Sequence, residues 1–464
     1  MKLYTPALRS QLTGKAASLA DRVETRETVI GVAGLGYVGL PIALEFAKKG
    51  FKCIGVDLDE RKITDLNQGI NYIEDLDDEE VAEVVNKGLL IGSTDYESLA
   101  EAEVIYICVP TPFNSNKEPD ISYITSASEA IAEIMSPGKL VILKSTTFPG
   151  TTEDYVIPRL NKSGLKASQD YFIASSPERV DPGNKVYHTA NTPIVVGGID
   201  ETSSIIASAV NNQIIENIYM VGNPKVAELE KLLENIFRSV NIALVNELAL
   251  LCERIGGINV WEVIESASTK PFGFMNFTPG PGVGGHCIPI DPYYLSWLAR
   301  AHDFETKFIT LAANVNESMP YHVCNLVIRQ LARQPITLEQ SRVLILGVSF
   351  KKNVKDLRHS PAEAIIHRLI EEGIQAIDYA DPWAPTYQVA GRKMYSVDLT
   401  AENLAAYHCV ILITDHDAFD IAFVVKHASH IVDTRNMTAN IEDGNEKIIR
   451  LGYSPPKPKL VFEH

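Results

Sequence analysis

The apolar run Thr28-Val29-Ile30-Gly31-Val32-Ala33 leads directly into Gly34-Leu35-Gly36-Tyr37-Val38-Gly39 and then into the amphipathic run Pro41-Ile42-Ala43-Leu44-Glu45-Phe46-Ala47. No other feature constrains the fold of this chain as much. A buried strand that ends in GxGxxG and opens into a helix is the first βα unit of a doubly wound parallel sheet. Gly34 permits the tight turn, Gly36 admits a pyrophosphate close to the backbone, and Gly39 lets the helix pack on its strand. The helix N-terminus attracts the phosphate charge, with Tyr37 and Val38 beside it. A second apolar run, Lys52 to Val56, ends in Asp57, where a carboxylate accepts from both ribose hydroxyls. The combination points to a dinucleotide, and to NAD rather than NADP. Arg61 and Lys62 cut the other way, because a cation there would accept a 2′-phosphate. A Rossmann-like fold without a dinucleotide is the bland alternative.

Further βα units follow, with strands expected at 104–109, 140–144 and 172–175. The first two end in the polar loops Pro110-Thr111-Pro112 and Ser145-Thr146-Thr147, and the third runs into Ser176-Pro177-Glu178-Arg179. Ligands of open α/β sheets bind at these carboxyl ends, so Thr111 and Thr146 are expected beside a nicotinamide. At 464 residues the chain is too long for one core. A second α/β pattern begins at Arg342-Val343-Leu344-Ile345-Leu346-Gly347 and continues through 376–381 and 410–414. Its first turn, Val348-Ser349-Phe350-Lys351-Lys352, lacks GxGxxG, which argues against a second dinucleotide. Lys351, Lys352, Lys355 and Arg358 cluster there, either as a solvated face or as a site for a phosphate-bearing ligand. The predicted fold is α/β, two doubly wound Rossmann-like domains joined by a long central helix and a helical dimerisation region. The expected divisions are an N-terminal extension (1–27), a dinucleotide domain (28–210), a central helical region (211–320), and a second Rossmann-like domain with a C-terminal tail (321–464).

The central helix is expected between Asn223-Pro224, a capping side chain with proline in the first turn, and the stop Gly256-Gly257. Apolar residues cover much of its circumference, which suggests burial on several sides and a seam between two copies of the chain. Lys231 and Asn235 lie one turn apart on one face. They are either a solvated pair or paired donors for a developing oxyanion. A net charge of −17 disfavours nucleic acid and anionic membrane as partners, and no run of 18 apolar residues or secretory leader is visible. A cytoplasmic location is expected. The six cysteines are scattered and form no CxxC pair, which disfavours disulfides and a metal site.

One of those cysteines has a distinctive setting, Gly280-Pro281-Gly282-Val283-Gly284-Gly285-His286-Cys287-Ile288-Pro289-Ile290-Asp291. A thiol and a carboxylate four residues apart follow a glycine-rich approach that lets a bulky ligand near the backbone. Cys287 is either a buried structural thiol or a nucleophile. The cofactor signature upstream favours the second, in an enzyme that oxidises a substrate to an aldehyde, traps it on sulfur and oxidises it again.

Taken together, the Rossmann fingerprint, the Lys231/Asn235 helix and GGHCIPID resemble the UDP-glucose/GDP-mannose dehydrogenase family from about Thr28 to Met437. The resemblance implies oxidation of a sugar C6 alcohol to a carboxylate with two NAD⁺. Cys287 would be the nucleophile, Lys231 and Asn235 the oxyanion donors, and Asp291 a group that orients water or moves protons. Glu178 and Thr146 would assist thioester hydrolysis. Phe350 and Lys351 match the family's sugar-nucleotide-binding GxxFK segment, Arg358 its DxR segment, and Arg435 a basic position near the ligand. Arg179, Arg238, Phe274 and Gly284 are implied as further substrate contacts, and Lys62 as a cofactor contact.

Two positions depart from the UDP-glucose branch. Pro182 stands where that branch has a second glutamate, and Ile290 where it usually has lysine. SPERVDPGN, KPFGF and GPGVGGHCIPIDPYYL are instead similar to the UDP-N-acetylhexosamine branch. The expected substrate is UDP-N-acetyl-D-glucosamine, in the supply of surface-polysaccharide precursors. UDP-glucose, UDP-N-acetylmannosamine, UDP-N-acetylgalactosamine and GDP-mannose are alternatives within the family. A non-catalytic NAD or nucleotide-sugar sensor is an alternative of another class.

Overall fold

A computed structural model describes residues 1–114, 117–181, 183–184, 186–285, 287–441 and 444–456. The side chains of Cys287 and Asn445 lie outside that description, as do Pro182 and residues 457–464. The chain forms two compact units, Met1–Glu234 with Tyr293–Phe304, and Asn235–Pro292 with Glu305–His464.

The first unit holds β1 (Lys2–Leu3), β2 (Ile30–Ala33), β3 (Cys53–Val56), β4 (Leu90–Ser93), β5 (Val104–Ile107), β6 (Leu140–Leu143), β7 (Phe172–Ser175), β8 (Ile194–Gly198) and β9 (Ile218–Met220). They form one sheet in the order β1-β9-β8-β7-β6-β5-β2-β3-β4. From β4 to β7 all pairings are parallel, with Ile30 opposite both Cys53 and Val104. β8 then runs antiparallel to β7. Alternate residues face opposite layers: Val104 and Tyr106 join one core cluster, Ile105 and Ile107 the other. The sheet order reverses at β2, between β3 and β5, and this switch point opens a crevice at the carboxyl ends.

Residues before Thr28 are part of this core. A helix over Gly14–Thr25 buries Ala16, Leu19, Ala20 and Val23 in the same cluster as Ile205 and Ala209 of the helix Glu201–Asn211. β1 adds an antiparallel edge to β9.

The central helix runs Pro224–Ile255, 32 residues or about 48 Å, within the bounds its caps predict. Asn223 Oδ1 accepts from the Val226 N–H at 3.1 Å, and Gly256 and Gly257 end the helix with φ of 79° and 74°. Among the described residues it is the one helix long and apolar enough to cross a bilayer. Its buried Glu228, Lys231, Asn235 and Asn246 mark it as a core helix instead.

The second unit holds β10 (Arg342–Leu346), β11 (Ala376–Ala380), the hairpin β12 (Thr386–Val389) and β13 (Arg392–Tyr395), β14 (Cys409–Leu412), β15 (Ile431–Asp433) and β16 (Ile448–Arg450). Its five-stranded sheet is wholly parallel, in the order β11-β10-β14-β15-β16. Val343 and Ile345 of β10 pack with Ile365 and Leu369, while Leu344 and Leu346 pack with Val424 on the other face. This is the second doubly wound pattern expected from the sequence.

Candidate active site

In the first unit the turn after β2 is built as its glycines require. A Cβ on Gly34 (φ 94°) would meet the Cys108 carbonyl at 2.7 Å, and one on Gly39 would meet the Gly34 carbonyl at 1.8 Å. At Gly36 nothing lies within 4 Å, so the backbone there faces open space. Asp57 follows β3 and accepts from the Leu35 N–H, the Asp59 N–H and Lys62 Nζ, each at 3.0 Å. Lys62 is thus paired with the carboxylate, and Arg61 turns to Asp59 at 2.9 Å. Tyr37 and Val38 follow, Tyr37 partly exposed.

At the next strand ends Thr111 donates to the Thr146 carbonyl at 2.7 Å, which ties the two loops expected beside the nicotinamide. Tyr294 donates to the Thr111 carbonyl, and Trp297 packs at a tilt against Phe148 with ring centroids 5.0 Å apart. The loop after Thr146 is held from the central helix. Buried Glu228 accepts from the Gly150 N–H (2.7 Å), the Thr152 N–H (2.9 Å) and Thr152 Oγ1 (2.6 Å). Burial raises the Glu228 carboxyl, and these donors work against that shift.

Glu178 is nearly buried after β7. Its Oε1 accepts from the Arg179 and Val180 N–H groups, both at 2.8 Å, and its Oε2 lies 3.4 Å from Lys144 Nζ. Burial pushes this carboxyl up, but Lys144, the two N–H groups and Lys231 outweigh burial and hold it below the ordinary value. Arg179, expected on substrate, donates instead to the Pro193 carbonyl at 2.8 Å and pairs with Glu234 and, at 3.6 Å, with Glu230. Its guanidinium is committed to the protein's own acceptors. Lys231 is 7% exposed and Asn235 5%, which removes the solvated-pair reading, whereas Arg238 and Phe274 are exposed.

In the second unit the segment before the cysteine lies against the loops of the C-terminal sheet. A Cβ on Gly284 would meet Phe350 Cβ at 2.5 Å, one on Gly285 (φ 87°) would meet the Phe350 ring at 3.0 Å, and one on Gly280 would meet Arg435 Nη1 at 2.6 Å. These glycines therefore serve side chains of this unit, where the sequence suggested close approach of a ligand. The Gly285 N–H donates to the Arg358 carbonyl at 3.0 Å. Asn246 accepts from the Gly280 N–H at 3.0 Å and donates to Asn316 at 2.9 Å. Arg358 forks onto Asp356, with Nη2 at 2.6 Å.

The helix Cys287–Arg300 starts at the candidate nucleophile, and Asp291 stands one turn further on. Asn235 Nδ2 donates to Asp291 Oδ2 at 2.5 Å, and both side chains are buried. The five other cysteines are buried, and burial raises each thiol, Cys324 and Cys409 to about 12.

Phe350 and Lys351 sit in a loop clamped at both ends. Asp381, after β11, accepts from the Val348 N–H (2.8 Å), the Ser349 N–H (2.9 Å) and His416 Nε2 (3.2 Å). His416 Nδ1 in turn accepts from the Asn353 N–H at 2.9 Å, which assigns the ring proton to Nε2. Asp381 holds the place in this sheet that Asp57 holds in the first, but it faces inward, sealed by the histidine.

Three consecutive family models cover the chain: the UDP-glucose/GDP-mannose dehydrogenase NAD-binding domain over residues 28–220, the central domain over 225–318 and the UDP-binding domain over 344–440. The chain belongs to the UDP-glucose/GDP-mannose dehydrogenase family. It is 35% identical over 399 residues to UDP-N-acetyl-D-glucosamine 6-dehydrogenase of Pseudomonas aeruginosa, spanning 85% of this chain and 92% of that one. It is equally, 35%, identical over 415 residues to UDP-N-acetyl-D-mannosamine dehydrogenase of Pyrococcus horikoshii, spanning 88% and 95%. A solved structure of UDP-D-ManNAc dehydrogenase from Pyrococcus horikoshii matches with a TM-score of 0.83 at 33% identity, over 92% of this chain and 99% of that one.

As a member of the UDP-glucose/GDP-mannose dehydrogenase family, the chain is an NAD-dependent UDP-sugar 6-dehydrogenase. The residues after β2 and β3 fit that cofactor. The backbone at Gly36 leaves room for a pyrophosphate and Asp57 offers a carboxylate for a ribose, with the joined Thr111 and Thr146 loops at the neighbouring strand ends. Sequence reasoning missed Lys144, Glu228, Tyr294, Asp381 and His416. A lysine in the apolar run Leu140-Val141-Ile142-Leu143-Lys144 and a tyrosine pair after Asp291-Pro292 were the available signals.

Proposed function

We propose that this dehydrogenase carries out a four-electron oxidation of the C6 alcohol of a UDP-N-acetylhexosamine, foremost UDP-N-acetyl-D-glucosamine, through a thiohemiacetal and a thioester on Cys287. The observation that carries the reading is the buried Asn235–Asp291 pair, one helical turn from Cys287 on one side and from the buried Lys231 on the other. A sensor of NAD or sugar nucleotides has no use for it.

In this reading Gly36, Asp57, Thr111 and Thr146 would hold NAD⁺, which would supply the hydride acceptor, one molecule for each of the two oxidations. The hydroxyl proton of C6 leaves through Asp291, and the aldehyde adds the Cys287 thiolate. Lys231 and Asn235 donate to the oxyanion, each such donor being worth about 3 kcal/mol in the transition state. Covalent capture keeps the aldehyde from hydrating or escaping before the second oxidation. Water held by Glu178 and Thr146 then cleaves the thioester. Phe350, Lys351, Arg358 and Arg435 hold the UDP moiety, and the product supplies surface-polysaccharide precursors in the cytoplasm.

SPERVDPGN and KPFGF support the N-acetylglucosamine branch. The equal identity to a UDP-N-acetyl-D-mannosamine dehydrogenase favours the epimer as a second reading. Limiting UDP-N-acetylglucosamine, UDP-N-acetylmannosamine and UDP-glucose, each with excess NAD⁺, separate the two. About two NADH per UDP-N-acetylglucosamine, with little from the others, is the expected result. Oxidation of the mannosamine sugar alone would establish the second reading, and one NADH per sugar would sink the double oxidation.

The reading includes a homodimer. Leu229, Leu233, Phe237, Leu244, Leu248 and Leu251 of the central helix are each more than a third exposed. A stripe of that length marks an interface. Light scattering is expected to give about twice the 51.1 kDa chain mass, and Leu233→Glu with Leu244→Glu to move it toward the monomer. A monomeric parent protein would refute the dimer.

A further inference from the structure

Lys144 has no role in the steps above. It directly follows β6, is 1% exposed, and its Nζ has no hydrogen-bond partner among the described residues. The carboxylate of Glu178 faces it at 3.4 Å through Oε2, whereas Oε1 is taken up by two backbone N–H groups. Ser176, which follows β7 as Lys144 follows β6, likewise buries a hydroxyl without a partner. Buried polar groups of this kind are rarely left unsatisfied, and an ordered water is the usual occupant beside them. The ammonium and the carboxylate oxygen thus face each other at the ends of the paired strands β6 and β7, the sheet end that also carries Thr146.

We propose that Lys144 is a positioning residue for thioester hydrolysis, holding Oε2 of Glu178 where that carboxylate takes a proton from the attacking water. The inference rests on the role given to Glu178 above. In the step, the water oxygen bonds to the C6 carbonyl carbon and the carbon–sulfur bond breaks. Glu178 takes one water proton and later releases it to solvent, and the sulfur departs as the thiolate. The sugar leaves as the carboxylic acid and ionises in solvent, so no oxidant is consumed.

The charges around Glu178 agree with this. Lys144 and Lys231 are the cations facing it, the Arg179 and Val180 N–H groups its donors, and Cys108 a neighbouring thiol that burial keeps protonated. Lys144 is the largest contribution holding the carboxyl below its ordinary value against burial. Its loss therefore raises that value and moves the acid limb of hydrolysis upward in pH.

The test compares wild type with Lys144→Met, Lys144→Gln, Lys144→Arg and Glu178→Gln, using the full enzyme with NAD⁺ and UDP-N-acetylglucosamine, or whichever UDP-sugar it oxidises. Stopped-flow NADH reports the hydride transfers, and mass spectrometry of acid-quenched protein reports the thioester on Cys287. In Lys144→Met and Lys144→Gln the two hydride transfers are expected to persist while thioester accumulates. Hydrolysis slows about tenfold with its acid limb moved up, and Lys144→Arg restores both. Glu178→Gln slows hydrolysis about a hundredfold. If Glu178→Gln is slow while both neutral Lys144 variants hydrolyse at the wild-type rate with an unmoved limb, the role of Lys144 is overturned and that of Glu178 survives. Wild-type hydrolysis in Glu178→Gln overturns both.

Discussion

Replacing Cys287 with serine is expected to lower carboxylate formation by about a thousandfold or more while leaving UDP-sugar binding and folding nearly unchanged. At neutral pH a serine hydroxyl is a far weaker nucleophile than a thiol, which has an appreciable thiolate fraction. No other described thiol substitutes, because the remaining five are buried and raised by burial. Limiting substrate should then give slow NADH formation and a poorly hydrolysed ester visible by mass spectrometry. Calorimetry should show a melting temperature within a few degrees of wild type. Full turnover in Cys287→Ser or Cys287→Ala would remove the covalent mechanism. A large loss of stability with intact chemistry would instead make the thiol a core residue.

Asp381→Ala is expected to destabilise the second unit by about 3–5 kcal/mol. Asp381 is fully buried, and the change strands the Val348, Ser349 and Trp383 N–H groups and the His416 ring that donate to it. Burial works to raise its carboxyl, but His416 and those N–H groups pull it down to about 2, below the ordinary 3.8. A carboxyl lowered on folding adds stability above its unfolded value and loses it as pH falls through the folded one. The contribution, on the order of 2 kcal/mol, is thus present at pH 7 and disappears between about pH 4 and 2. Urea unfolding from pH 2 to 7 measures it, and an Asp381→Asn variant should lack that part of the slope. Because the carboxylate anchors the loop bearing Phe350 and Lys351, Asp381→Asn should also raise KM for the UDP-sugar and spare KM for NAD⁺. Equal increases in both would contradict a local role.

Features written in short stretches of chain are legible in the sequence. Thr28 to Gly39 dictate a strand, a tight turn and a helix. Asn223-Pro224 and Gly256-Gly257 delimit the central helix at the ends the structure has, since caps act on adjacent residues. The Cys287–Asp291 and Lys231–Asn235 spacings are local helix geometry as well, so the candidate chemistry could be read from them.

Contacts between distant residues leave no such period, and these the tertiary structure alone decided. Glu178 meets Lys144, Glu228 holds the loop at Gly150 to Thr152, and Arg179 turns to Glu230 and Glu234. The antiparallel β8 and the packing of residues 14–25 on the first sheet are of the same kind. Gly284 and Gly285 show the difference most plainly. As sequence they signal only close approach, and what approaches is the Phe350 ring, 65 residues or more away in the chain. Backbone preference is a property of neighbours in sequence, whereas the partner of a buried charge or of a bare glycine is chosen by the fold that surrounds it.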